Sequence, residues 1–327
     1  MKKGLLLLLI LSIQFGLYGQ KMKGLSFVGS SEKIDSTDVM PIVEVNANWV
    51  SIMPFGFIRN GKVMYNSKWQ WWGEKTEGAR ETIRLCQERG LKIMLKPQIW
   101  IMGAYTGDFT LEKEGDWMVF ERSYREFVME FVQLAVEMKV DLFCVGTEWR
   151  EFVKERPVFW KKLIGEVKET YSGKLTYAAN WDDYKDVPFW KELDYIGVDA
   201  YFPICVSSDS KYKEMCASWK KYSAVLGQFS KEQGLKILFT EFGYRSLAGT
   251  TKAPWVSDTK GKCDLNEQNN GYKAIFETVW KEDWLAGGFV WKWFHNHESH
   301  GGKKNLGFTP QNKPAEETIR QFWKENN

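Results

Sequence analysis

Short apolar runs alternate with longer stretches of helical spacing along nearly the whole chain. Brief runs rich in β-branched and aromatic residues occur at 25–29, 49–55, 92–97, 142–146, 174–179, 195–199, 236–240 and 288–291. Each is bounded by Gly, Pro, Asn or Asp, the punctuation expected of strands. Between them, residues 77–90 show helical spacing and stop at Gly90, a residue suited to a C-terminal cap. Residues 116–139 place Val119, Tyr124, Phe127, Val128, Phe131, Leu134, Ala135 and Met138 close to a three-four repeat. Segments 159–171, 212–234, 266–284 and 315–324 read likewise. Residues 36–46 suit a modest first helix, and 182–192 leave room for only a turn or two. Eight strands, each followed by a helical segment, predict an α/β fold of the (β/α)8 TIM barrel type. The competing doubly wound sheet usually carries a glycine-rich phosphate loop after its first strand. Here Gly29-Ser30-Ser31-Glu32-Lys33 stands in that place.

The N-terminus follows a different pattern. Lys2 and Lys3 precede an apolar run over 5–13, then Leu17-Tyr18-Gly19 leads to Gln20. A basic start, a short apolar core and a small residue at its end predict a signal peptide over 1–19. The run is too short to span a bilayer. The expected mature protein is therefore one catalytic-size domain, 20–327, secreted or periplasmic and not membrane-bound after cleavage. No Pro/Gly/Ser-rich linker divides it, and nothing in the pattern calls for more than a monomer.

Composition narrows the partners. A net charge of +3 with dispersed basic residues offers no phosphate-binding stripe, so nucleic acid is not expected. Aromatic residues make up 16% of the chain, with 17 Trp, which suggests flat surfaces for sugar rings as well as core. The 5 cysteines form no zinc pattern. Cys86 and Cys144 fall in apolar elements. Cys205, Cys216 and Cys263 lie in or near later loops, where an oxidising compartment would allow one disulfide among them. All 3 histidines sit in His295-Asn296-His297-Glu298-Ser299-His300. The loop is read as sugar-contacting or solvated, with no metal and no cofactor expected.

A barrel of this kind places its chemistry at the C-terminal ends of its strands. Glu148 closes the fourth predicted strand and Glu241 the seventh, on facing sides of the ring. Two such carboxyls, about 5 Å apart, are what a retaining glycosidase needs: one protonates the leaving oxygen and the other attacks the anomeric carbon.

Four strand-end motifs make the resemblance specific. They are Val145-Gly146-Thr147-Glu148-Trp149, Tyr195-Ile196-Gly197-Val198-Asp199-Ala200-Tyr201-Phe202-Pro203, Phe239-Thr240-Glu241-Phe242-Gly243-Tyr244 and Gly288-Phe289-Val290-Trp291-Lys292-Trp293. With the tail over 307–315, they resemble glycoside hydrolase family 113, β-mannanases within clan A of the barrel hydrolases. The resemblance implies that Glu148 is the acid/base, Glu241 the nucleophile, and Tyr201 the donor that orients the nucleophile. It implies that Trp291 lies under the reacting sugar, and that the substrate is mannan, glucomannan or manno-oligosaccharide, cleaved internally. Many clan members have Asn before the acid/base, where this chain has Thr147; Asn180 could supply the missing hydroxyl contact or simply close a turn. Trp100, Trp181 and Trp293 are candidates for neighbouring subsites or for packing. Lys96, Asp199 and Lys292 could bond sugar hydroxyls or form structural ion pairs. Trp149 is a candidate source of apolar surroundings for Glu148. Another β-linked glycan, or a barrel that binds carbohydrate without turnover, remains the alternative reading.

Overall fold

Inward and outward positions alternate along eight parallel strands, and the two sets have different chemistry. The computed structural model describes residues 20–206 and 211–326. The expected signal peptide lies outside the described residues. In chain order the elements are β1 (Met22–Phe27), α1 (Ser36–Glu44), β2 (Trp49–Ile52), β3 (Phe55–Arg59), β4 (Lys62–Met64), α2 (Thr76–Glu88), β5 (Lys92–Leu95) and β6 (Gln98–Trp100). Then come α3 (Glu114–Glu137), β7 (Leu142–Thr147), α4 (Arg150–Glu155), α5 (Pro157–Thr170), β8 (Lys174–Asn180) and β9 (Ile196–Asp199). The chain ends with α6 (Tyr212–Gln233), β10 (Ile237–Phe242), α7 (Leu265–Thr278), β11 (Leu285–Trp293) and α8 (Pro314–Glu325). The closed barrel runs β1-β11-β10-β9-β8-β7-β5-β2, so the expected (β/α)8 architecture is the observed one.

Outward residues such as Leu25, Val50, Ile93, Phe143 and Val198 share one large core with the helices. Inward residues Met22, Trp49, Met94, Leu142, Leu238 and Phe289 form a separate cluster made by six of the barrel strands. Further along the same strands the inward positions turn polar: Ser26, Ser51, Lys96, Asp199 and Thr240 are all fully buried. The barrel thus has an apolar floor and a polar upper layer, and the site stands on that layer. Helix ends follow their local chemistry. Asp35 caps α1 through a capping box, and Asp264 caps α7 by accepting from the Glu267 N–H. Gly234 closes α6 at φ 70°, a conformation glycine adopts without steric cost.

The structure departs from the expected elements in one important place. The predicted strands over 49–55 and 92–97 each break at a proline, Pro54 and Pro97, which cannot donate to a ladder. Beyond the break the chain forms a small side sheet ordered β4-β3-β6. β3 and β4 make a hairpin across Asn60-Gly61, both at positive φ as a tight hairpin turn requires. The inner face of this wing packs on α3: a Cβ at Gly56 would meet Ile99, Val63 and Phe127, and the Val63 N–H donates to Ser123 Oγ at 3.0 Å. Elsewhere the predicted helix over 266–284 stops at Thr278, and α4 is an extra helix directly after Glu148.

All five cysteines are free thiols, so the disulfide that an oxidising compartment would allow among Cys205, Cys216 and Cys263 is not formed. Cys205 is buried beyond β9, Cys216 lies on α6, and the Cys263 Sγ donates to the Lys303 carbonyl at 3.4 Å. Among the described residues no helix is long and apolar enough to cross a membrane.

Candidate active site

Glu241 lies in β10, aligned with Asp199 at the end of β9. Its carboxylate is held from three sides. The Lys96 ammonium and the Gln98 amide, 3.0 Å away, both donate to Oε1. The Tyr201 hydroxyl donates to Oε2 at 2.8 Å. Lys96 also reaches Asp199 Oδ1 at 3.5 Å, and the Thr240 hydroxyl donates to the same oxygen at 2.7 Å. Burial alone would lower the Lys96 pKa, but the charges of Asp199 and Glu241 outweigh it and hold the ammonium above its usual value. The Asp199 pKa is raised as well: burial first, then the Glu241 charge, push its carboxyl up against the pull of Lys96 and Thr240.

Glu148 follows β7 with φ 54°, left-handed for a residue that has a Cβ. Such a conformation costs about 1–2 kcal/mol and persists only when its surroundings fix it. Here the Glu148 N–H donates to the Ala178 carbonyl and the Trp149 N–H to the Tyr177 hydroxyl, each at 2.8 Å. The side chain opens onto the same cleft as Glu241. Its carboxyl is raised well above the ordinary range by burial first, then by the charges of Asp199 and Glu241; Lys96 partly opposes this. One carboxyl is therefore biased toward its protonated form while its neighbour is surrounded by donors, the division of labour that acid/base chemistry requires.

The cleft has a volume of about 570 Å³ and is lined by Tyr105, Asn180, Trp181, Trp255, Trp291 and Phe308 as well as the two glutamates. Trp181 stacks on Trp255 with centroids 5.2 Å apart and planes at 23°, one flat wall of the cleft. Trp291 lies near the end of the barrel strand β11, and the peptide that joins it to Lys292 is cis. Asn180 lines the cleft while its Oδ1 accepts from the Trp181 N–H at 2.9 Å. On the outer side of Glu148, Arg150 bonds Asp183 at 3.1 Å and Asp182 at 2.9 Å.

Several expected sugar contacts are placed elsewhere. Lys96 and Asp199 are fully buried beneath the carboxylates, so they are ion-pair partners of the site and no sugar hydroxyl reaches them. Trp293 is also fully buried, turned outward from the strand into the helix-side core. The Lys292 ammonium lies over the faces of Trp291 and Phe294, at 5.3 and 5.4 Å from their centroids. Trp149 packs among Phe109, Phe120, Tyr124 and Phe152 in the helix-side core, so its ring is not the wall of Glu148. Trp100 is on the wing, half exposed.

The three histidines have separate partners. His295 Nε2 is 3.2 Å from Ser30 Oγ, His297 Nε2 is 3.0 Å from Glu316, and His300 stacks on Phe294 at 4.6 Å. Sequence reasoning missed Gln98, Tyr105, Trp255 and Phe308. Gln98 follows the third barrel strand directly, a position that could have marked it. Trp255 comes from a long loop without periodicity.

Comparison with known proteins adds to this geometry. The model of Glycoside Hydrolase Family 113 matches residues 28–313. A GH113 β-mannanase from Alicyclobacillus acidocaldarius, solved in complex with ManMIm, superposes with a TM-score of 0.82 at 23% identity, covering 94% of this chain and 98% of that one. A second GH113 β-1,4-mannanase structure gives 0.78 at 22% identity, covering 94% and 99%. A β-glucuronidase from Faecalibacterium prausnitzii gives 0.62 at 17% identity, covering 94% of this chain and 49% of that one. A search of curated proteins found no match.

Proposed function

This chain belongs to Glycoside Hydrolase Family 113, and from that premise we propose that it is a retaining endo-β-1,4-mannanase. One observation carries the reading: Glu241, held by Lys96, Gln98 and Tyr201, shares a cleft with Glu148, whose carboxyl burial and neighbouring negative charge raise well above its ordinary range. In the first step Glu148 donates its proton to the glycosidic oxygen as that bond breaks. Glu241 Oε attacks the anomeric carbon, giving a glycosyl-enzyme ester and a free sugar hydroxyl. Formation of the ester removes the Glu241 charge, one of the causes that raise Glu148. The ionised Glu148 then takes a proton from water, whose oxygen attacks the same carbon and releases Glu241. Two inversions give net retention.

Mannan, glucomannan or manno-oligosaccharide is the substrate class supported by the β-mannanases that share this fold. Trp291 is assigned to the floor beneath the reacting sugar, Trp181 and Trp255 to an adjoining subsite, and Asn180 to a hydroxyl contact. The basic start and apolar run before residue 20 support export, and the enzyme is read as a monomer outside the membrane.

The test is direct. The purified protein, incubated with mannan, glucomannan, xylan and soluble cellulose, should release reducing ends from the first two. Proton NMR of the earliest product should show the β-anomer. Glu241→Ala should lose turnover by roughly 10⁴-fold or more while keeping its fold. Normal hydrolysis by that variant, or an α-anomer as first product, would refute the assignment.

A further inference from the structure

We propose that the open face of the β4-β3-β6 wing is a binding platform for the glycan chain that runs beyond the catalytic cleft. This rests on the reading of the site as a glycan hydrolase and deepens it. Register fixes which wing residues share a face. Phe55 pairs with Gln98 and Phe57 with Trp100 across the parallel β3–β6 ladder, and Phe57 pairs with Met64 across the hairpin. Side chains two apart on a strand point the same way. Phe55, Phe57, Met64, Gln98 and Trp100 therefore stand on one face, and Gly56, Ile99 and Val63 on the face packed against α3.

That open face starts at the reactive carboxylate. Gln98 donates to Glu241 Oε1 at 3.0 Å. Trp100, two residues further on, is roughly 6.6 Å along the same face, an advance on the scale of a sugar ring. It is 50% exposed, with Phe57 braced edge-on at 5.8 Å. A large aromatic ring left in water beside an active site is a cost unless something covers it. The pattern is concentrated here. Among the described residues the exposed tryptophans are Trp69, Trp71, Trp100 and Trp255. Trp255 belongs to the cleft wall; Trp69 and Trp71 belong to the loop beside the wing. That loop is held by Gln70, whose amide donates to the Phe55 carbonyl at 2.7 Å while its Oε1 accepts from the Ser67 N–H at 2.9 Å. Gln70 is buried and the tryptophans on either side of it are 78% and 52% exposed, so the loop is fastened by its polar residue and presents its rings. A long β-linked chain, with apolar ring faces and hydroxyl edges, is the occupant that fits exposed aromatic surfaces on a face that begins beside the nucleophile.

The experiment compares chain lengths in the intact protein. For Trp100→Ala, kcat/KM on mannohexaose relative to that on mannotriose should fall about tenfold, the effect of truncating a buried aromatic anchor, with KM carrying the change. Trp100→Phe should restore much of the ratio. An unchanged ratio in a folded Trp100→Ala protein would overturn the platform. A second measurement keeps this separate from the mannanase reading. Glu241→Ala protein, with and without Trp100→Ala, is run through native gels containing glucomannan, xylan or soluble cellulose. Weaker retention of the double variant on any of these supports the platform whatever the wild-type substrate; equal mobility of the two on all three refutes it.

Discussion

Lys96 is fully buried between Glu241 and Asp199, and that position decides what its replacement does. Lys96→Met keeps the volume but removes a donor to the nucleophile and leaves two buried carboxylates facing each other. They must then share protons, and a protonated Glu241 cannot attack. We expect kcat/KM to drop by roughly 10²-fold or more, a loss on the scale of removing one preorganised charged donor. Tyr201→Phe removes a single neutral donor from Oε2 and should cost roughly tenfold. Steady-state kinetics on the two proteins give the order, and a larger loss for the tyrosine would contradict this account. Glu148 sets the alkaline side of the pH profile. Activity needs its proton, so kcat/KM declines as pH rises through its elevated pKa. Asp199 is among the charges that raise it, so Asp199→Asn should move that alkaline limb to lower pH. A limb that stays in place would show that the charge of Asp199 does not reach Glu148.

At the scale of elements, the loop between β10 and α7 carries Trp255 to the cleft and is fastened by Arg245, which donates to the Asp258 and Ala253 carbonyls, and by Glu267. The buried Glu267 carboxylate accepts from the Gly249 N–H at 2.7 Å, the Thr251 N–H at 2.9 Å and the Thr251 hydroxyl at 2.7 Å. Glu267→Gln turns part of that acceptor into a donor that faces other donors. We expect a loss of about 2 kcal/mol, as for buried bonds to a charged group, read from urea unfolding. KM should rise more than kcat falls, because the wall moves and the carboxyls do not. The barrel strands were legible in the sequence because each is a short apolar run at a regular interval, and a barrel makes strand ends and active site coincide. Glu148 and Glu241 were singled out that way, and Tyr201 through the family resemblance. The wing was not, because its strands continue the apolar runs of β2 and β5 and only Pro54 and Pro97 mark the change of sheet. For Lys96, Asp199 and Trp293 the sequence left sugar contact open beside ion pairing or packing for a related reason: a strand end reveals height in the barrel, whereas contact with solvent depends on which residues lie above.

Across the whole molecule, the polar layer that makes the site also lowers its stability at neutral pH. In the barrel the floor is apolar, while the layer above holds Lys96, Asp199 and Glu241 buried, with the partly exposed Glu148 facing the same cleft. Glu148 has its carboxyl raised in the folded protein from an ordinary value of 4.5. The folded state therefore holds that proton more tightly than the unfolded state does. Stability from this group is fully present below pH 4.5 and is lost as pH rises through the folded pKa, since the unfolded chain then releases the proton freely. Asp183, pushed up from 3.8 to about 6 by burial against the opposing hydrogen bond from Arg150, acts in the same direction. Glu148→Gln removes the ionisable group but keeps the shape. Near pH 4.5 it should melt at about the temperature of the wild type. Toward pH 8 the wild type pays to keep or ionise this acid and the variant does not, so the variant should become the more stable protein, by a margin that widens with pH. Thermal melts of both proteins across that range measure the margin directly. A constant difference would mean that Glu148 titrates alike in the folded and unfolded chain, and the environment assigned to the proton donor would then be wrong.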